Sequence, residues 1–371
     1  MPGSRPVTDP VPDNRGADNL LAGDLQHVLE QTVAVWPLLQ GARLFITGGT
    51  GFFGSWLLES MVWANDRMRL GLRATVLTRD PARFQSKAPH LATDPAIDLL
   101  VGDMGSFSFP REGIDFVIHA ATETVGAPGT FDPLGKLEAD VSGTRRVLAM
   151  AREHGARRML LTSSGAVYGR QPSEMAQVPE DYAGAPDPTD PGSAYGEAKR
   201  VCELACAASG RGGPETVIAR CFAFIGPHLP LDSNYAIGNF IRDALSGGPI
   251  VVSGDGTAVR SYLYAADLAV WLWRLLLEGA PGRAYNVGSD AALTIEQLAR
   301  LVARTVSPHA EVRVLGKKDG RPPQRYVPAI GRARTEIGLA PLVQLPDAIE
   351  RTATWHRWID DSGPAERERT L

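Results

Sequence analysis

Tyr195 and Lys199 bracket Y-G-E-A-K, a four-residue spacing that places both side chains on one face of a helix. A phenol with an ordinary pKa of about 10 is a poor base near neutral pH, and a neighbouring ammonium favours its ionised form. Lys199 supplies one such charge. Upstream, Ser164 in S-S-G-A-V-Y-G offers a hydroxyl that can hold an oxygen as it loses or gains a proton. By itself Y-x-x-x-K occurs often by chance, and an exposed helix face is its plain alternative.

A second pattern supplies the hydride chemistry such a trio would serve. Residues Arg43 to Leu58 read R-L-F-I-T-G-G-T-G-F-F-G-S-W-L-L. An apolar run stops at a glycine cluster, and a helical apolar pattern begins at once. Gly49, Gly51 and Gly54 fit G-x-G-x-x-G, while Gly48, Gly51 and Gly54 fit G-x-x-G-x-x-G. Such a turn needs positive φ and lets a pyrophosphate approach the backbone where a Cβ would block it. The following helix aims free N–H groups at the phosphates. The expected cofactor contacts are Gly48, Gly51, Phe52, Phe53 and Gly54 in the turn, then Thr78 and Arg79, Asp103 and Met104, and Ala120, Ala121 and Thr122. Tyr195 and Lys199 complete the set.

An acidic residue ending the second strand binds a ribose 2′-hydroxyl, whereas an arginine accepts a 2′-phosphate. Here Thr78 takes the acidic position and Arg79 follows it, which leans towards NADP over NAD. Asp80 could still reach a ribose, and Arg79 as a solvated surface charge is an equal alternative. Asp103, in V-G-D-M, is a candidate partner for the adenine amino group.

The elements that must position these residues alternate between strand and helix, the pattern of a doubly wound parallel α/β sheet of Rossmann type. Strands are predicted at Ala74 to Thr78, Asp98 to Val101, Phe116 to His119, Met159 to Ser163 and Thr216 to Arg220, after the first near Leu44. Helices are predicted at Leu134 to Glu153 and Tyr195 to Ala208. Before them, residues 1–22 read as a proline-rich flexible leader. Residues 23–41 read as an amphipathic helix outside the nucleotide fold, carrying Leu25, Val28, Leu29, Val33, Trp36 and Leu39 and ending or breaking near Pro37. Arg170 to Gly192, rich in proline, reads as a surface loop over the site. The Rossmann unit is expected over 42–225, and a smaller substrate-binding lobe over 226–360 with some segments returning to the sheet. A tail covers 361–371.

Composition bounds the partners. The 371 residues, 44% hydrophobic and 22% charged with a formal net charge of -4, describe a globular chain with no nucleic-acid or membrane signal. No apolar run reaches the ~18 residues of a membrane span, and the N-terminus lacks a signal-peptide core. Cys202, Cys206 and Cys221 have no metal spacing, so a cytoplasmic location with buried thiols, and no metal, is expected. Trp271 and Trp273 read as helix core.

With T-G-G-T-G-F-F-G, S-S-G-A-V-Y-G, Y-G-E-A-K, R-C-F-A-F-I-G-P from Arg220, G-D-G-T-A-V-R-S-Y-L-Y from Gly254 and Y-N-V-G from Tyr285, the chain resembles an extended short-chain dehydrogenase/reductase of the nucleotide-sugar epimerase/dehydratase family. The resemblance spans roughly Ala42 to Trp358. It implies that Ser164 bonds the reacting sugar oxygen, Tyr195 is the acid/base, and Lys199 also grips the nicotinamide ribose. It implies Arg260 and Arg321 as clamps for the substrate diphosphate, Asn239, Gly165, Ala166 and Ala223 as further substrate contacts, and a homodimer through the helices near 134–153 and 195–208.

Three departures stand out. Asp140 occupies the place of the family's usual Asn, and Ala223 that of another Asn. Gly165 and Ala166 fill the places where 4,6-dehydratases carry an Asp-Glu pair and decarboxylases keep a Glu at the second position. Those carboxylates would protonate a leaving hydroxyl and take a C5 proton. Their loss favours a C4 epimerase over a dehydratase, with an NADPH-dependent ketoreductase as the second competitor, and the small residues are expected to leave room for a keto sugar to turn. Glu123, Glu180 and Asp181 are the carboxylates that could replace the missing pair. A non-catalytic NADP-binding sensor is the alternative of a different class.

Overall fold

The computed structural model describes residues 19–122, 132–210, 212–233, 235–318 and 320–362. Glu123, most of the proline-rich leader and the tail from Glu366 to Arg369 lie outside the described residues.

Strands β1 (Arg43–Thr47), β2 (Arg73–Thr78), β3 (Ile97–Val101), β4 (Phe116–His119), β5 (Arg158–Ser164) and β6 (Glu215–Cys221) begin and end within about one residue of the limits predicted from apolar runs. A further strand, Ala284–Val287, joins them in one parallel sheet, ordered Ala284–Val287, β6, β5, β4, β1, β2, β3. Alternation along β1 sends Leu44 and Ile46 into one core layer and Phe45 into the other.

The first layer is covered by helices α1 (Ala22–Gln31) and α2 (Phe52–Met68) and by a later helix. Shorter α3 (Pro81–Lys87) and α4 (Pro89–Ala92) follow β2. On the other layer α5 (Pro133–Glu153) and α6 (Ala194–Ala208) pack side by side. The chain continues through α7 (Ala236–Leu245), α8 (Ala265–Glu278), α9 (Ile295–Val306), α10 (Gly331–Ile337) and α11 (Leu345–Asp361), with small strands between them. In α8 both Trp271 and Trp273 are buried core, and the Trp273 indole donates to Ser60 Oγ at 2.9 Å.

The N-terminal helix is shorter than its apolar pattern predicts. It ends at Gln31, Thr32 turns back to bond the Val28 carbonyl, and Pro37 sits inside a separate 3-10 turn, Trp36–Leu39. Val33 consequently faces solvent, while Trp36 packs on Trp273 with centroids 4.9 Å apart. Buried Asp24 accepts from Tyr264 Oη at 2.5 Å and pairs with Arg351, tying α1 to α8 and α11. All three cysteines are buried and unpaired with one another. Among the described residues no helix is long and apolar enough to cross a membrane.

Candidate active site

The glycine turn after β1 is built by contacts that forbid side chains. Gly48 has φ 72°, and a Cβ there would lie 2.7 Å from the backbone of Ala120 and Ala121. At Gly54 a Cβ would meet Gly49 Cα at 2.2 Å, which locks α2 against the turn. Gly51 is the residue before α2, and a Cβ there would meet only the Gly48 carbonyl, at 3.3 Å. The opening beside it and the unpaired first N–H groups of α2 suit a pyrophosphate. Phe52 and Phe53 are half-buried, and the Phe53 ring meets Phe224 edge-on.

Thr78 ends β2 with its hydroxyl accepting from the Asp80 backbone N–H at 3.2 Å. The Asp80 carboxylate is turned to α3, where it accepts from the Arg83 N–H at 2.9 Å and caps the helix. Arg79 is exposed. Asp103 is exposed, with Oδ1 accepting from the Gly105 N–H, and Met104 packs on Gly143 of α5. Ala120 and Ala121 donate to Thr47 O and Thr47 Oγ1, both at 3.1 Å. His119 lies between Thr47 Oγ1, at 2.7 Å, and Thr144 Oγ1, at 2.9 Å. Burial, and then the Lys199 charge, push this imidazole down to about 3. It is a neutral strut of the cleft.

Ser164 ends β5, and Tyr195 and Lys199 sit in the first turns of α6, so the sheet and one helix bring the trio together. The Ser164 hydroxyl is buried and accepts from the Ala166 N–H at 3.1 Å. Burial pushes the Tyr195 phenol up to about 12, with the Ser164 hydroxyl pulling the other way. The charge that sequence reasoning assigns to this phenol is directed elsewhere. Lys199 Nζ donates to the Thr162 carbonyl at 3.1 Å and lies 6.0 Å from the Tyr195 ring centroid.

The motif residues around the trio are braces. Arg220 on β6 grips Glu203 of α6 at 2.7 Å and donates to Tyr168 Oη at 2.9 Å. Tyr168 Oη donates to Asn286 Oδ1, and Ser163 Oγ donates to Glu203. Together they clamp the turn after Ser164 onto α6. Glu180 belongs to this clamp: it accepts from the Asn286 N–H at 3.0 Å and is not an available acid, while Asp181 is exposed. The proline-rich segment docks on the C-terminal chain through the Val178 and Val327 backbones and packs Pro186 against Gly196 beside Tyr195.

Of the expected substrate residues, Arg260 stands in register beside Tyr326 and donates to the Val259 and Gln324 carbonyls. Arg321 is exposed in the loop that leads to Tyr326. Asn239, on α7, accepts from Arg242, and the Ala223 carbonyl accepts from the Leu263 N–H. Position 165 does not leave the room expected of it. A Cβ on Gly165 would lie 2.7 Å from Phe222 Cζ and 2.8 Å from Tyr326 Oη, so rings already fill that space.

Three residues enter the site that motif reasoning missed. Tyr326 Oη stands 3.4 Å from Ser164 Oγ, and its ring stacks on Phe222 at 4.6 Å. Lys136, buried on α5, has Nζ 3.6 Å from Asp140 Oδ2, 3.4 Å from Thr122 Oγ1 and 4.9 Å from the Tyr195 ring centroid. Thr122 Oγ1 donates to Asp140 Oδ2 at 2.9 Å. Tyr235, at the start of α7, comes close enough to Tyr195 for the two phenols to interact electrostatically. A buried lysine i−4 to an unusual aspartate was the one signal available in the sequence. Tyr326 had none.

A dinucleotide turn opposite a Ser-Tyr-Lys set on a parallel sheet defines a Rossmann oxidoreductase of the short-chain dehydrogenase type. The chain belongs to the NAD dependent epimerase/dehydratase family, whose model matches residues 44–288. Among its relatives, UDP-glucuronic acid decarboxylase 2 of Arabidopsis thaliana is 31% identical over 84% of this chain and 67% of its own length. UDP-glucuronic acid decarboxylase 1 of Xenopus tropicalis is 29% identical over 85% of this chain and 72% of its own. A dTDP-glucose 4,6-dehydratase from Streptomyces venezuelae, solved with NAD bound, superposes with TM-score 0.72 at 26% identity, covering 85% of this chain and 97% of that one. A UDP-glucose 4-epimerase from Thermotoga maritima gives TM-score 0.71 at 20% identity, covering 86% and 100%, a likeness of fold.

Proposed function

We propose that the protein is a nucleotide-sugar C4 epimerase that uses NAD or NADP, with NADP favoured by Thr78-Arg79 and by the commitment of Asp80 to its helix cap. The observation that carries this reading is a complete Ser164, Tyr195 and Lys199 set beside Gly165 and Ala166, which bring no carboxylate to the sugar.

Gly48, Gly51, Phe52, Phe53, Gly54 and Lys199 would hold the dinucleotide, which when bound accepts and returns a hydride at C4. Tyr195 takes the C4 hydroxyl proton, and Ser164 holds the oxygen as the 4-keto sugar forms. Tyr195 returns the proton once the sugar presents its other face. Arg260 and Arg321 would take the diphosphate, for which planar guanidinium groups are suited. The same reading places the enzyme in the cytoplasm as a homodimer, its contact face formed by α5 and α6, which expose Leu134, Val201 and Leu204.

A second reading, decarboxylation of a nucleotide uronic acid, is favoured by the relatives at 29–31% identity. Against it stands Ala166, at the place where such enzymes keep a glutamate. Turnover of matched nucleotide hexoses and uronic acids in deuterated water, read by mass spectrometry and proton NMR, separates the reactions. An epimerase leaves mass and C5 hydrogen unchanged. Loss of carbon dioxide, or a C6 methyl with deuterium at C5, would overturn the assignment. Absence of any transient cofactor reduction on substrate addition would favour a non-catalytic sensor.

A further inference from the structure

Ser164 Oγ carries one proton and two lone pairs, and which of them faces the cleft decides what the residue can do. One lone pair is already filled: the Ala166 N–H, which can only donate, reaches it at 3.1 Å in the turn after β5. The second neighbour is Tyr326, with Oη 3.4 Å from Ser164 Oγ and 3.4 Å from the Cys221 carbonyl. A phenol has a single proton, so it donates to one of these oxygens at a time. Catalytic hydrogen bonds of this length commonly shorten once substrate closes the site.

Tyr326 is held in place from three sides. Its short strand, Arg325–Tyr326, runs parallel to Val259–Arg260, and the next residue, Val327, donates to Gln171 Oε1 and accepts from the Val178 N–H, both at 2.9 Å. Its ring stacks on Phe222 with centroids 4.6 Å apart. Opposite, Gly165 presents no side chain, and a Cβ there would lie 2.8 Å from the Tyr326 hydroxyl. Burial raises the Tyr326 phenol above its ordinary range, with the Ser164 hydroxyl pulling the other way. The phenol therefore keeps its proton near neutral pH and is a donor, not a base.

Two arrangements follow. With Tyr326 donating to the Cys221 carbonyl, Ser164 turns its own proton to the phenol and offers a lone pair to the cleft. With Tyr326 donating to Ser164, both lone pairs of Ser164 are filled and its proton points into the cleft. A ketone or alkoxide oxygen can only accept, so the second arrangement alone serves it.

We propose that Tyr326 is a positioning residue that sets the direction of the Ser164 hydroxyl, making it a donor to the sugar oxygen as that oxygen gains charge. This rests on the epimerase reading above, in which Ser164 holds that oxygen. No proton leaves Tyr326; its O–H bond only rotates from the Cys221 carbonyl to Ser164.

Single-turnover kinetics of the full chain loaded with NAD or NADP, read by the near-ultraviolet absorbance of reduced nicotinamide, test this with UDP-, GDP- and dTDP-hexoses as probes. Tyr326→Phe keeps the ring on Phe222 and removes the hydroxyl. Ser164→Ala and the double variant complete a cycle, with melting curves as a folding control. In Tyr326→Phe the hydride step should slow by about tenfold while the half-saturating sugar concentration stays near wild type, as expected when a hydrogen bond made in the transition state is lost. In the Ser164→Ala background the same change should cost almost nothing, since Tyr326 acts through Ser164. Additive losses would mean that the phenol acts on the sugar by itself and would overturn the positioning role, as would an unchanged rate in Tyr326→Phe. A raised half-saturating concentration with an unchanged rate would make Tyr326 a wall of the sugar pocket and overturn it too. Apart from turnover, the Tyr326 phenol C–O stretch, isolated as the infrared difference between wild type and Tyr326→Phe without cofactor, should shift in Ser164→Ala; an unchanged band would remove the contact. A wild type that reduces its cofactor with none of the probes would overturn the epimerase reading and this role together.

Discussion

Lys136 and Asp140 stand one turn apart on α5, both buried, with Nζ and Oδ2 separated by 3.6 Å and the ammonium 4.9 Å from the Tyr195 ring centroid. The carboxylate that replaces the family's amide is thus balanced by a cation on the same helix. Asp140 disfavours the Tyr195 phenolate, whose pKa is raised first by burial. Removing Lys136 should leave that negative charge unbalanced. Lys136→Met is expected to shift the acid limb of the kcat/KM profile to higher pH, and adding Asp140→Asn to shift it back. A profile that does not move in the single variant would make the pair purely structural. Stability should also fall, by about 3–5 kcal/mol in Lys136→Met, since one partner of a buried ion pair is removed.

Tyr195→Phe keeps the ring and removes the proton carrier. Turnover should fall by roughly 10²–10⁴-fold or more, while dinucleotide affinity stays near wild type. Near-normal turnover in this variant would remove Tyr195 from the mechanism.

Gly165→Ala tests the packing beneath the site. The new methyl would meet Phe222 and the Tyr326 hydroxyl at under 3 Å, so one of those rings must move. A stability loss of about 1–3 kcal/mol is expected from overpacking. Because Tyr326 leans on Ser164, kcat should drop with it. An unchanged kcat would show that the Tyr326 contact is incidental.

His119 makes a prediction about acid. Its folded pKa, about 3, lies below the ordinary 6.5. Between those values the unfolded chain binds the proton and the folded chain does not. Stability is therefore highest above pH 6.5 and is lost as pH falls towards 3, by at most about 1.4 kcal/mol per pH unit from this residue. Glu59 adds to the same trend lower down. Although burial opposes it, His90 and His228 hold its carboxyl at about 2, so its contribution is lost only below its ordinary 4.5. Melting temperature against pH should fall less steeply from 6.5 to 4 in His119→Asn than in the wild type. Parallel slopes would mean that His119 titrates normally.

The Arg220 to Glu203 pair supports the turn after Ser164 and is largely hidden from water. Arg220→Met should lower the melting temperature by several degrees and weaken turnover through the loosened turn, with cofactor affinity less affected. Restoring charge with Arg220→Lys should recover only part of the loss, because the guanidinium bonds Glu203 and Tyr168 at once. Full recovery by lysine would show that charge alone matters.

The sequence by itself determined what depends on neighbours along the chain. The Gly48 to Gly54 turn, the limits of β1 to β6 and the helices α5 and α6 are local patterns of backbone freedom and apolar period, and they are where those patterns place them. Ser164, Tyr195 and Lys199 were legible for the same reason, each lying in a short motif at the end of an element. The tertiary structure decided what depends on chain segments far apart. Pairing of Ala284–Val287 with β6 closes the sheet across a gap of more than sixty residues, and no period encodes a partner. Tyr326 reaches Ser164 from 162 positions away, Lys136 turns under Tyr195, and two rings fill the space beside Gly165. Even Asp80, adjacent to Arg79, had two local uses open to it, and only the start of α3 decided that its carboxylate caps a helix. Spacing records which residues are near each other along the chain; packing alone selects which distant side chains share a cavity, since that depends on the order of the strands and the volume left between them.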